Sequence, residues 1–259
     1  MKALAATKFL FASLVVVFLL GPLVAVLPLS FTDSVFINYP IPGYSTRWFR
    51  ELIEAESWRR SIVNSLIIGS GTTALATALG TLAGLGLRKT RTSLLFSSMR
   101  TLFLLPMVVP AVVLGVGMQL LFARYELVNT YLGVIIAHTV VAVPFVLVNV
   151  STALQGVDTR LEHAAASLGA SPRTVLFWVT LPIALPGIVS GALFAFATSL
   201  DEVVLTLFVA GPNQRTLARQ MFSTIRENTS PAIVAAAAVF IVGTIVLALC
   251  LAAIRRRPS

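Results

Sequence analysis

The sequence predicts an all-α, polytopic membrane protein with six transmembrane helices and a structured cytoplasmic loop between spans four and five. Three observations carry this. Of 259 residues, 57% are apolar and 11% charged, with a mean hydropathy of +0.93; a soluble domain carries about 25% charged residues. The apolar residues gather into six runs long enough to cross a hydrocarbon core, which takes about 20 residues of helix. The basic residues sit in short clusters between those runs, where topology signals belong. The net charge of +9 therefore reads as membrane orientation. Nucleic-acid binding would need a continuous basic face with polar or aromatic readers, so no nucleic-acid partner is expected.

The first run, Phe9–Leu29, follows Lys2 and Lys8. It is longer than the roughly 7–15 residues of a signal-peptide core and no small-residue cleavage site follows, so it reads as an uncleaved first span. A mixed segment from Thr32 to Ser61 comes next, with Arg47, Arg50, Arg59 and Arg60 balanced by Asp33, Glu51, Glu54 and Glu56. Trp48, Leu52 and the stretch 53–56 predict a short amphipathic helix, with Trp48 and Trp58 as interfacial anchors. Such a helix either lies on the membrane surface or helps receive an extracytoplasmic partner.

Five further runs follow: Ile62–Leu87, Leu102–Ala123, Tyr131–Val150, Ile183–Val209 and Ala232–Ile254. The second and fifth spans exceed one bilayer crossing and must tilt, break or project beyond it. Two regions are expected, 1–61 with the first span and its extracytoplasmic segment, and 62–259 with the other five spans and the loop 155–182. Gly80–Gly84 and Gly187–Gly191 have GxxxG spacing, which serves close helix packing within a subunit or between subunits. Prolines at 106, 110, 144 and 186 predict kinks, tolerated where neighbours satisfy the freed carbonyls.

Lys and Arg in the short loops set the orientation. The cytoplasmic side receives Lys2, Lys8, the cluster Arg88, Lys89, Arg91 and Arg100, then Arg160, Arg173 and the tail Arg255, Arg256 and Arg257. Arg124, Arg215, Arg219 and Arg226 fall outside. Six spans then place both termini in the cytoplasm. Cys250, the one cysteine, excludes an internal disulfide and reads as an inert residue facing lipid or a neighbouring helix. No CxxC, HExxH or GxxxxGK[ST] pattern occurs, so neither a metal nor an in-chain nucleotide or other cofactor is expected. Two histidines and one cysteine leave little from which to build an embedded enzyme, which needs a nucleophile–base pair or a metal cluster.

The inner loop QGVDTRLEHAAASLGASPRTVLFWVTLP, residues 155–182, is the most informative segment. Thr159 and Glu162 have the S/T-x-x-E spacing of a capping box, which would start a first helix. Ala164, Ala165, Ala166 and Leu168 continue it, and Gly169 stands where a helix-ending glycine belongs. Ser171 then caps a second helix with Pro172 at its first position. That helix carries Val175, Leu176 and Trp178 into the membrane at Leu181-Pro182. A small apolar surface held out on the cytoplasmic side needs a partner groove.

The spacing His163-Ala164-Ala165, Gly169 and Val179-Thr180-Leu181-Pro182 resembles the signature of permease subunits of ABC importers: Glu-Ala-Ala, three residues, Gly, nine residues, Ile or Val, any residue, Leu-Pro. His163 occupies the first glutamate position, and Glu162 is the neighbouring acid. The resemblance implies an inner-membrane transport subunit, not an enzyme. It implies a separate ATP-binding subunit docked on Glu162, His163, Ala164, Ala165, Gly169, Leu181 and Pro182. It also implies an extracytoplasmic solute-binding protein, a second and similar permease, and a bacterial plasma membrane setting. Region 62–259 becomes the permease core. Which of Glu162 and His163 makes the polar contact stays open.

Asn64-Ser65-Leu66 and the segment Ser199-Leu200-Asp201-Glu202-Val203-Val204 are similar to polyamine-type permeases, although related permeases also carry opines, metals, sugars and oxyanions. Asp201 and Glu202 are the acids inside a predicted span. A carboxylate at that depth costs at least about 2.5 kcal/mol and faces a partner or a wet cavity. Such a pair would offset the charge of an amine substrate. Adjacent helical residues point about 100° apart, so one of them, expected to be Asp201, faces the pathway. The alternative is that one acid pairs with Arg215 or Arg219, or caps a break in the helix. His138, also inside a span, is expected to hydrogen-bond a neighbouring helix or to touch substrate.

Overall fold

A computed structural model describes residues 2–88, 94–156, 158–227 and 230–255. Lys89, Arg91, Arg256 and Arg257 lie outside the described residues, as does the side chain of Cys250. In chain order the helices are α1 (Lys2–Leu29), α2 (Arg47–Glu54), α3 (Glu56–Arg88), α4 (Leu94–Leu104), α5 (Ala111–Arg124), α6 (Tyr131–Gln155), α7 (Thr159–Ser167), α8 (Pro172–Val175), α9 (Leu181–Asp201), α10 (Val204–Val209), α11 (Leu217–Glu227) and α12 (Ala232–Arg255). The chain divides into two compact units, Met1–Arg59 with Met221–Ile245, and Arg60–Gln220 with Val246–Ser259.

Among the described residues, four stretches are long and apolar enough to cross a membrane as single helices: Thr7–Leu29, Glu56–Arg88, Tyr131–Gln155 and Pro172–Asp201. The expected third span, Leu102–Ala123, is not a kinked helix but two helices meeting at 101°, Ser98–Met107 and Ala111–Arg124. Pro106 and Pro110, four apart, each remove a backbone donor and clash with the preceding turn. The chain answers with a 3-10 turn at Leu105–Met107 and an extended Pro110 that starts α5. Pro144 and Pro186 sit inside α6 and α9 without ending them. The expected fifth span, Ile183–Val209, is also interrupted, between Asp201 and Val204. α12 (Ala232–Arg255) is a further apolar helix.

In the first unit, α1 is apolar on every face and its large side chains are exposed from Phe9 to Val24, the pattern of a helix whose solvent is lipid. Beyond it the chain folds back: Thr32 bridges Tyr44, and Arg47 donates to the Asp33 carbonyl at 3.0 Å. α2 is amphipathic as expected, with Trp48 and Leu52 buried on one face. The anchor reading of the two tryptophans is corrected, because Trp48 and Trp58 are only 5% and 4% exposed. An indole offers a large apolar area, and here it is covered by protein; the Arg47 guanidinium lies 4.2 Å from the Trp48 ring centroid.

The second unit is organised around α6, whose Val134, Ala137, Val146 and Val150 are fully buried. Both GxxxG pairs pack onto it. A Cβ placed on Gly80 of α3 would fall 2.6 Å from the Val146 Cβ, and one on Gly84 would fall 2.9 Å from a Val150 methyl. From the other flank, a Cβ on Gly191 of α9 would lie 2.9 Å from the Val146 Cα. Val146 is thus seated between two glycines, and the small residues serve packing within the subunit, where close approach of backbones replaces a hydrophobic drive.

Candidate functional site

The loop 155–182 folds as two helices joined by a turn. Its first boundary differs by one residue from the capping-box expectation. Asp158, not Thr159, is the N-cap, and its side chain accepts from the Arg160 N–H at 2.9 Å. Both residue types cap well, so the backbone geometry decides between them. Glu162 is thereby freed from capping. Its Oε1 instead accepts from Arg88 Nη1 and from Thr180 Oγ1, each at 2.6 Å.

The exit from α7 is a Schellman motif. Ala170 N–H reaches the Ala165 carbonyl at 3.1 Å and Gly169 N–H the Ala166 carbonyl at 3.0 Å. Gly169 takes φ +86°, a conformation that a Cβ disfavours. Ser171 then accepts from Thr174 N–H at 3.2 Å, with Pro172 opening α8. The second helix runs on through a π-helical turn, Leu176–Thr180, into α9. Leu181 N–H bonds five residues back to the Leu176 carbonyl, next to Pro182, which has no N–H to give.

These placements sort the predicted residues. Glu162 is turned inward, while His163 and Ala164 are exposed and Ala165 is half-buried. Leu168 is 89% exposed, an apolar side chain presented at the tip of α7. Leu181 is half-buried and Pro182 exposed at the first turn of α9. Arg88 and Thr180, read in the sequence as a topology charge and a free signature position, belong to the same cluster. No local pattern marks them, because their link to Glu162 spans 74 and 18 residues.

Asp201 and Glu202 lie in a second place, the break between α9 and α10. Asp201 ends α9 and is exposed. Glu202 is extended, and its Oε1 accepts from Leu205 N–H at 2.9 Å, capping α10. The break-capping alternative thus applies to Glu202. Among the described residues, Arg215 and Arg219 bond elsewhere. Arg215 donates to Gln220 Oε1 at 3.0 Å, and Arg219 donates to the Thr206 and Ala210 carbonyls at the end of α10. A cation at a helix C-terminus is favourably placed.

His138 of α6 spans the same break. Fully buried, it meets Ser199 Oγ of α9 at 2.9 Å and Thr206 Oγ1 of α10 at 3.0 Å. Each ring nitrogen of a neutral imidazole has a role, one donating and one accepting. His138→Leu takes a partner from the Ser199 hydroxyl, while Thr206 Oγ1 keeps its bond to the Glu202 carbonyl, and is expected to cost about 1–2 kcal/mol; thermal unfolding in detergent measures it.

At the other end of α3, Asn64 Nδ2 donates to the Asn213 and Arg215 carbonyls, both at 2.9 Å, and Asn64 Oδ1 accepts from Tyr131 at 2.7 Å. Ser65 Oγ accepts from Leu217 N–H at 2.8 Å. The Asn64-Ser65 pair is therefore the clasp that fastens the segment after α10 to the start of α3 and α6.

An all-helical fold with apolar spans and a structured two-helix loop between two of them is that of a polytopic membrane protein. The description of binding-protein-dependent transport system inner membrane components matches residues 76–258. The chain is 34% identical over 225 residues to the putrescine transport system permease protein PotI of Escherichia coli (strain K12), covering 83% of this chain and 79% of that protein. It is 29% identical over 245 residues to the spermidine/putrescine transport system permease protein PotC of the same organism, covering 92% and 89%. Its fold is similar to that of a bacterial ABC transporter involved in import of the acidic polysaccharide alginate, with a TM-score of 0.76, 15% identity and coverage of 100% and 98%. The chain belongs to the binding-protein-dependent transport system inner membrane component family and is a multi-pass inner-membrane permease subunit of an ABC importer.

Proposed function

We propose that this subunit imports a small cationic amine of the polyamine class, delivered by an extracytoplasmic binding protein and driven by a separate ATP-binding subunit. The observation that carries the ATPase reading is the loop 159–182, an independently capped pair of helices that holds Leu168 out at 89% exposure. Exposed apolar side chains on a short helix suit a hydrophobic groove in a partner. On this reading His163, Ala164, Ala165 and Leu168 form the docking surface, Gly169 sets its turn, and Leu181 and Pro182 start the span that receives the motion. A second, similar permease completes the pore.

Six spans with both termini cytoplasmic remain the topology that best fits the polar brackets in the second unit. Arg88 and Glu162 draw two inner segments together, while Asn64, Tyr131 and Asn213 draw together segments assigned outside. Residues 1–61 then hold the first span and its extracytoplasmic segment, and 62–259 the permease core.

The amine reading rests on Asp201. It is the exposed carboxylate at a break in a spanning helix, and a carboxylate within a span faces a partner or a wet cavity. Similarity to PotI and PotC supports the same choice, whereas the fold alone does not fix a cargo. The test is reconstitution with the ATP-binding subunit, which should co-purify, and a ligand screen on the binding protein. Stabilisation by putrescine or spermidine is expected; stabilisation by a sugar or an oxyanion alone removes the amine reading. Asp201→Asn should then lower putrescine uptake about tenfold, or about 1.4 kcal/mol, with assembly intact. Unchanged uptake kinetics would take Asp201 out of the pathway.

A further inference from the structure

We infer that Glu162 is a positioning residue that ties the docking loop to α3 and α9, so that the three move as one body. The inference rests on the docking role proposed above and adds the link by which force leaves the loop. α7 has nine residues and buries none of them. A helix that short has little stability of its own, and without a buried face its position depends on a few directed contacts. Glu162 supplies them. One oxygen, Oε1, receives Arg88 Nη1 from the last residue of α3 and Thr180 Oγ1 from the π-helical turn that feeds α9. Both bonds are charge-assisted, the stronger kind. The ion pair is shielded, its side chains 18% and 26% exposed, so it keeps more strength than a surface pair. Thr180 itself is 5% exposed.

The geometry also separates two roles within one motif. His163 and Ala164 face outward and are available to a partner, while Glu162 faces inward and is spent on the subunit's own spans. A displacement of Leu168 is then shared with two spanning helices through the Glu162 carboxylate. Without that carboxylate the short helix is held less firmly to α3 and α9.

The test uses the assembled transporter in lipid nanodiscs, with Cys250→Ser and spin labels at Leu82→Cys on α3 and Arg160→Cys on α7, both exposed positions. With Glu162 present, the label distance is expected to stay narrow and unchanged between ATP-free and ATP-bound states. Glu162→Gln is expected to broaden it and make it change with ATP, while the ATP-binding subunit still co-purifies. Exchanging the charges, Arg88→Glu with Glu162→Arg, should restore the narrow distribution, which a merely structural role would not do. Should the permease with Glu162→Gln fail to fold, Thr180→Val removes one bond, keeps the ion pair and should broaden the distribution partly. A narrow, ATP-independent distance in both variants overturns the tie, as does a charge exchange that restores nothing. Loss of the ATP-binding subunit from Glu162→Gln alone also overturns it, by making Glu162 a docking residue. If that subunit leaves even the chain with Glu162 intact, the docking reading fails instead, and the ATP-free distances still judge the tie.

Discussion

Gly169→Pro is expected to separate the ATP-binding subunit from the permease. The turn after α7 depends on one backbone conformation, φ +86° at Gly169, and on the Gly169 N–H bonded to the Ala166 carbonyl. Proline fixes φ near −65° and has no N–H, so it loses both at once. On the scale of a proline inside a helix the local cost is about 3 kcal/mol. Docking that needs the native turn should weaken by about a hundredfold, since each 1.4 kcal/mol is a factor of ten. Gly169→Ala removes no hydrogen bond and meets nothing within 4 Å, so only the conformational preference opposes it, at about 1–2 kcal/mol. Co-purification from detergent should therefore rank native, alanine and proline in that order. Retention of the ATP-binding subunit by the proline variant, at the native level, would remove the loop from the interface.

Gly191→Leu should have the larger effect on the fold itself. A single Cβ at this position would already stand 2.9 Å from the Val146 Cα, a main-chain atom that cannot rotate away. Val146 cannot retreat toward α3 either, because Gly80 closes the other side so tightly that a Cβ there would fall 2.6 Å from the Val146 Cβ. The helices must separate, and the cost is expected at the upper end of overpacking penalties, about 3 kcal/mol. Lower yield and a lower unfolding midpoint in detergent would register it. Gly86→Leu and Gly117→Leu, at glycines with nothing within 4 Å, are the matched controls and should leave the midpoint near its native value.

Much of the fold class and of the loop was legible because the determining signals are local. Gly169, Ser171 and Pro172 each dictate a backbone state within a residue or two of themselves. Asp158 and Thr159 illustrate the limit of that reading: two good caps in succession leave the first turn to tertiary context. The break at Pro106 and Pro110 was visible as a weakness, but its angle depends on what the helices on either side pack against. Trp48 and Trp58 were misplaced because the same amphipathic ring suits a lipid interface and a protein interior. Glu162 and Arg88 each stand out in the sequence as charges bordering apolar runs. Their pairing across 74 residues leaves no trace in spacing, and neither does the meeting of His138 with Ser199 and Thr206. Which acid would cap a break was open in the sequence, because the N–H of Leu205 that Glu202 accepts becomes available only where the helix is interrupted.

The π-helical turn at Leu176–Thr180 carries one residue more than an α-helical turn would. Each residue of a helix adds about 100° of rotation. The count of residues from Gly169 to Pro182 therefore fixes the azimuth at which Gly187 and Gly191 meet α6, measured from the direction in which α7 leaves the turn. Deleting one residue from this stretch would keep the chemistry of the loop and still put its two ends out of phase. The constant spacing between the glycine and the Leu-Pro pair is in this sense an angle written as a length.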